Sequence, residues 1–238
     1  MDSPSVTIVV MGVAGCGKTT VGTLLAQSLG VPYLEADDFH PDTNVAKMRA
    51  GTPLTDEDRQ PWLAAIAGQI AVGTRPRPVV SCSALKRQYR SQLRQADPRT
   101  WFLHLVIDEA AASERVAARP GHFMRASLVP SQLADLEPLQ AEAGLAVDAT
   151  QPPEDIVTAA ICQLTAQGLL LSLRNQPRPR RDTADWSVAQ TTSAIRAGDF
   201  GHSCRRLRSF VQTTPETDNI ATVSTLDIPV RPVRFNAR

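Results

Sequence analysis

Lysine is scarce in this chain of 238 residues: Lys18, Lys47 and Lys86 stand against 22 arginines. In so Arg-leaning a sequence, a lysine marks a place where a compact point charge suits better than a guanidinium fork. The four cysteines, Cys16, Cys82, Cys162 and Cys204, are scattered without CxxC spacing. That excludes a dense disulfide framework and a cysteine metal site, and the expectation is reduced thiols in a cytoplasmic protein. No apolar run approaches the ~18 residues of a membrane span, and no basic stretch leads into a long apolar core at the start. The expected protein is soluble, without a membrane partner. None of Asn44, Asn175, Asn219 and Asn236 is followed by lysine, so the N-K-x-D stretch of a guanine-reading switch is missing. No internal repeat is present.

Charge is distributed unevenly. Residues 1–171 hold 14 Lys and Arg against 18 acids, whereas residues 172–238 hold 11 Arg and no Lys against 6 acids. The second stretch is rich in Pro and Arg ("LRNQPRPRRDTADW") and then polar ("TTPETDN"). It has little to bury, so the chain divides into a folded domain, 1–168, and a C-terminal extension, 169–238, disordered or loosely packed. The clusters "RPRR" and "RRLR" raise the idea of an arm for anionic polymers. The interspersed acids and the lack of a nucleic-acid motif argue against a nucleic-acid partner.

Within the first stretch, short apolar runs recur at "VTIVVM", "VPYLEA", "PVVSCS", "TWFLHLVI" and "GLAVDA", with helix-periodic segments between them. This alternation predicts an α/β fold, a five-stranded parallel sheet with helices on both faces. One helix carries Val21, Leu24, Leu25 and Leu29 on one face and stops at Gly30; another opens with Pro61 in its first turn. A third runs through "DEAAASERVAARP" to Pro120, and a closing helix spans 152–168.

Gly12, Gly17, Lys18 and Thr19 satisfy G-x-x-x-x-G-K-[ST], with an apolar strand before and an amphipathic helix after. The glycines let backbone N–H groups turn around an anion, and the helix N-terminus adds its dipole. Lys18 is placed to reach the β- and γ-phosphates of ATP, and the Thr19 hydroxyl to ligate Mg²⁺. A phosphate loop alone does not separate kinase from GTPase or motor; the length fits a small-molecule kinase.

Its acceptor site is expected at the carboxyl edge of the sheet. The second strand runs into "YLEADDFHPDTNVAKM", bringing Asp37, Asp38, His40, Asn44 and Lys47 close together. Asp37 is the candidate to deprotonate an acceptor hydroxyl, while Asp42 reads as the N-cap of the next helix. Arg59 is suited to bidentate recognition of a carboxylate or phosphate, or to the surface; Trp62 fits core and cleft equally. Lys86 and Arg90 lie one helical turn apart, facing one way. Further on, Arg115 and Arg119 share a helix face beside a lid hinged at Gly121. Arg119 is the better candidate to meet the transferred phosphate.

Taken together, "MGVAGCGKTT", "ADDFHPDTNVAKMRAGTPLTDEDRQPWL", "VSCSALKRQYR", "RPGHFM" and "SLVPSQLADLEPL" resemble the P-loop gluconokinases in order and spacing over about residues 5–168. The resemblance implies a nucleoside-monophosphate-kinase-like fold with a mobile lid. It also implies ATP- and Mg²⁺-dependent phosphorylation of D-gluconate at its terminal hydroxyl, in a cytoplasmic homodimer. It implies that Gly12, Val13, Ala14, Gly15, Cys16, Gly17, Lys18, Thr19 and Thr20 bind the triphosphate and metal, with Lys18, Asp37 and Arg119 catalytic. His40, Asn44, Lys47, Arg59, Lys86, Arg90, His122 and Gln132 then surround the sugar acid or its lid. Arg59, Lys86 and Arg90 are all open as receptors of the substrate carboxylate. Residues 170–238 have no counterpart in the resemblance.

Overall fold

The computed structural model describes residues 3–72, 76–119, 124–140 and 142–171. Gly121, His122 and nearly all of the C-terminal extension lie outside the described residues, and the lid expected around Gly121 lies there with them. Strands β2 (Ile8–Met11), β3 (Tyr33–Glu35), β4 (Val79–Ser81), β5 (Trp101–Val106) and β6 (Gly144–Asp148) form one parallel sheet in the order β3-β4-β2-β5-β6. All five apolar runs of the sequence are therefore strands of one sheet. A short antiparallel pair, β1 (Ser3–Pro4) with β7 (Leu170–Leu171), was not legible in the pattern.

Period-two alternation sends Ile8 and Val10 to one face and Val9 and Met11 to the other, and both faces are buried. On the first face α1 (Lys18–Leu29) and α7 (Pro153–Ala166) contribute Val21, Leu25, Ile156, Ala160 and Leu164. The second face is covered by α3 (Asp56–Val72) and α4 (Arg87–Ala96) through Trp62, Leu63, Ile66, Tyr89 and Leu93. The connection leaving β2 runs toward β3, and the one leaving β5 runs the other way, toward β6. Such a divergence opens a crevice outside the carboxyl ends of two neighbouring strands.

Several local expectations are corrected. Helix α3 begins at Asp56, so Pro61 lies inside it and not in its first turn. A reciprocal cap explains the early start: Asp58 N–H donates to Thr55 Oγ1 at 3.3 Å, and Thr55 N–H to Asp58 Oδ2 at 3.0 Å. Asp42 is the first residue of α2 (Asp42–Arg49) and Pro41 its N-cap, so Asp42 acts on the helix dipole without capping. Helix α5 (Glu109–Ala117) stops before Arg119, which therefore shares no helix face with Arg115; Arg115 Nη1 donates to the Ala149 carbonyl at 3.0 Å. Cys16 and Cys82 are free and buried, and Cys204 lies outside the described residues. Among the described residues no helix is long and apolar enough to cross a membrane.

Candidate active site

The phosphate loop fills the turn from β2 to α1. Gly15 and Gly17 adopt φ of 83° and 95°, a region that L side chains rarely enter. At Gly15 a Cβ would overlap the carbonyl oxygen of Ala112 on α5, so the loop is packed as tightly as it is bent. Lys18 Nζ donates to the Val13 carbonyl at 3.0 Å, which keeps the ammonium curled over the loop. Ala14 N–H donates to Oε1 of Gln132 at 2.7 Å, tying the loop to α6 (Val129–Asp135). Burial raises the Cys16 thiol pKa, so this cysteine is inert packing inside the loop.

Thr19 Oγ1 donates to Glu35 Oε2 at 2.9 Å, and Tyr33 Oη donates to the same oxygen at 2.6 Å. Glu35 thus sets the Thr19 hydroxyl from the end of β3, a role the sequence reading missed although Glu35 precedes Asp37 by only two residues. The phenol of Tyr33 is raised well above its ordinary pKa, first by burial and then by the Glu35 bond. It remains a donor at neutral pH. Among the described residues no group of three or more His, Cys, Asp or Glu could hold a metal ion. Thr19, Glu35 and Asp37 instead offer hard oxygen donors beside a phosphate loop, which suits an Mg²⁺ that keeps waters and shares its ligands with phosphates.

Asp37 sits on a 3₁₀ turn, Ala36–Phe39, just past the end of β3, and lines the cleft with Gly15, Gly17, Lys18 and Thr19. His40 Nε2 lies 4.0 Å from Asp37 Oδ1. Its ring stacks on Trp62, with centroids 4.3 Å apart and planes 10° from parallel. Trp62 donates Nε1–H to the Ala36 carbonyl at 2.7 Å, so one indole fixes both the 3₁₀ turn and the His40 ring. Trp62 is both core and cleft wall. Burial, with the Arg59 charge second, lowers His40 to about 4, so the imidazole is neutral at pH 7.

Arg59 also lines the cleft, and its Nη1 donates to Tyr89 Oη and to Asp135 Oδ2, both at 3.0 Å. Arg119, Gln132 and Ser83, the last expected near the end of the third strand, complete the polar lining with Ser131, which the sequence did not single out. Met48, Leu54, Met124 and Leu128 form an apolar wall, invisible in advance because nothing but hydrophobicity marks them.

The remaining candidates lie elsewhere. Asn44 donates to the Asp58 carbonyl at 2.7 Å and Lys47 pairs with Asp58 at 2.6 Å, so both brace the start of α3. Lys86 Nζ is held by Asp56 at 2.7 Å. Arg90 does not face the same way as Lys86. It is fully buried, paired with Glu142 at 2.7 Å, and its Nη1 donates to the carbonyls of Ala84, Leu85 and Glu137. Those bonds stabilise a turn in which Ala84 takes φ 42°. His122 lies outside the described residues.

The family model described as shikimate kinase matches residues 14–163. A gluconokinase of Gluconobacter oxydans is 45% identical over 165 residues, covering 67% of this chain and 92% of its own. The thermoresistant gluconokinase of Escherichia coli is 38% identical over 157 residues, with 64% and 90% covered. The crystal structure of a gluconokinase from Sinorhizobium meliloti superposes with a TM-score of 0.63 at 46% identity, covering 70% of this chain and 95% of that one. With a phosphate loop, an aspartate and a guanidinium on one cleft wall of the same doubly wound sheet, the chain belongs to the gluconokinase family, within the wider group matched by the shikimate kinase model.

Proposed function

We propose that the protein transfers the γ-phosphoryl group of ATP to the terminal hydroxyl of D-gluconate, giving 6-phosphogluconate and ADP. The observation that carries this reading is one cleft lined by Lys18 of the phosphate loop, by Asp37 and by Arg59. These are a phosphate cradle, a base and a carboxylate receptor. As the new O–P bond forms and the β–γ bridging P–O bond breaks, Asp37 takes the proton of the attacking hydroxyl. Lys18 and Arg119 meet the charge on the transferring oxygens. The Thr19 hydroxyl, with the Glu35 and Asp37 carboxylates, would hold an Mg²⁺, which when bound would neutralise charge on the β- and γ-phosphates. Neutral His40 and Gln132 offer donors and acceptors to the row of sugar hydroxyls.

Of the three cations open for the carboxylate, Arg59 is favoured. Only its Nη1 is engaged by Tyr89 and Asp135, and the side chain lies on the cleft. Arg90 is spent on Glu142 and on carbonyls, so its part is structural. The activity is assigned to residues 1–168, with the extension outside the reaction. A cytoplasmic homodimer completes the reading, carried by the resemblance.

The test is ADP production by full-length protein with Mg·ATP and D-gluconate, shikimate, other aldonates or no acceptor. Turnover confined to gluconate is expected. Turnover with a different acid overturns the substrate, and folded, ATP-binding protein without turnover overturns the enzyme.

A further inference from the structure

The cation that reads the acceptor does not stand alone. Arg59 is almost wholly enclosed, with 8% of its side chain exposed, and its Nη1 meets Asp135 Oδ2 at 3.0 Å. The other oxygen, Asp135 Oδ1, lies 3.4 Å from Lys86 Nζ. Asp56 holds Lys86 at 2.7 Å, accepts from Tyr89 Oη, and stands 4.0 Å from Arg59. Hydrogen bonds from Lys86 and Tyr89 lower Asp56 to about 2, so it is ionised throughout the neutral range. Two cations and two carboxylates drawn from α3, α4 with its N-cap, and α6 therefore neutralise one another directly behind the cleft wall. Stability alone does not explain the arrangement, since Asp56, Asp135 and Lys86 reach solvent and ion pairs so placed contribute little. Asp135 is also the last residue of α6, the helix that brings Ser131 and Gln132 to the cleft.

We propose that Asp135 is a built-in counter-ion of the acceptor carboxylate, a specificity-determining residue that shares Arg59 with the substrate and sets how tightly a sugar acid is held. The inference rests on the reading of Arg59 as the carboxylate receptor. A substrate carboxylate on the remaining edge of the guanidinium lies within a few ångströms of the Asp135 charge, and the two anions repel across one cation. Removing that charge leaves the guanidinium in place, because Tyr89 Oη still accepts from Nη1 at 3.0 Å. The gain in attraction for an anionic acceptor then outweighs the lost hydrogen bond. An uncharged acceptor of the same shape gains nothing. The device limits affinity for acids and so eases departure of a product that carries both the carboxylate and a new phosphate.

The experiment is steady-state kinetics of the full-length protein with D-gluconate and with its uncharged amide, D-gluconamide, at saturating Mg·ATP. Wild type is compared with Asp135→Asn, Asp135→Ser and Asp135→Glu. Both charge-removing variants should lower the KM for gluconate about tenfold and leave that for gluconamide within about twofold, while Asp135→Glu stays near wild type. Two charge-removing variants are used so that misfolding of one, checked by thermal melting, leaves the other to decide. An unchanged or raised gluconate KM overturns the proposal, as does a parallel shift for acid and amide, which a merely structural residue would give. Absence of wild-type turnover with gluconate strikes the functional reading instead; the charge comparison is then made with the sugar acid that is turned over and its amide.

Discussion

Asp37 lies on the 3₁₀ turn Ala36–Phe39 and His40 caps its end, and the proposed reaction asks opposite things of them: Asp37 to accept a proton, His40 to stay neutral. Asp37→Asn keeps the shape and removes the proposed base, so kcat should fall roughly 10²- to 10⁴-fold while calorimetry shows ATP affinity little changed. The histidines also set an acid limit. His40 and His104 are each lowered to about 4 from an ordinary 6.5, chiefly by burial. Below pH 6.5 the unfolded chain binds protons that the folded one refuses, so stability present at neutral pH is lost as pH falls from 6.5 toward 4. Thermal melting across that range should show the decline, and His40→Gln should flatten part of it. Motif chemistry made the placement of Lys18, Thr19 and Asp37 at one cleft legible, because each sits on one short loop or turn at the carboxyl edge of the sheet. The cations were harder. Whether Arg59 meets solvent or an acid depends on Asp135, 76 positions away, and no local pattern reports that.

Among the elements, the phosphate loop and α5 are fitted to each other at Gly15. Gly15→Ala adds a methyl group into the Ala112 carbonyl at a φ of 83°, and should cost about 1–3 kcal/mol in urea denaturation while weakening ATP binding. Arg90 binds the turn after β4 to the segment following α6. Arg90→Ala leaves Glu142 paired with Arg94 but takes the donor from the carbonyls of Ala84, Leu85 and Glu137, and should cost about 1–3 kcal/mol by the same measurement. The strands were readable as apolar runs, since each lies in a sheet covered on both faces. Helix starts were less so: α3 is nucleated by the Thr55 and Asp58 cap, ahead of the apolar periodicity that begins at Trp62. Two-residue strands such as β1 and β7 carry no periodicity at all.

For the whole molecule, the chain separates into units Met1–Leu173 and Arg174–Arg238. Every cleft-lining residue among those described belongs to the first. Removing residues 174–238 should therefore leave kcat and the gluconate KM within about twofold of the full-length values in the ADP assay, well inside the 1.4 kcal/mol that marks a tenfold change. A larger loss would give the extension a part in turnover. The alternating pattern of strand and helix made the architecture legible, because it admits few topologies. The pairing of Ser3 with Leu171 and of Pro4 with Leu170 did not follow from that pattern, yet it brings the first and last described segments of the unit side by side. Both ends meet at the amino end of β2, across the sheet from the phosphate loop. The unit is thus a ring with a single gap, and a short linker across that gap would make a circular permutant whose new termini can be chosen at an exposed turn without disturbing the cleft.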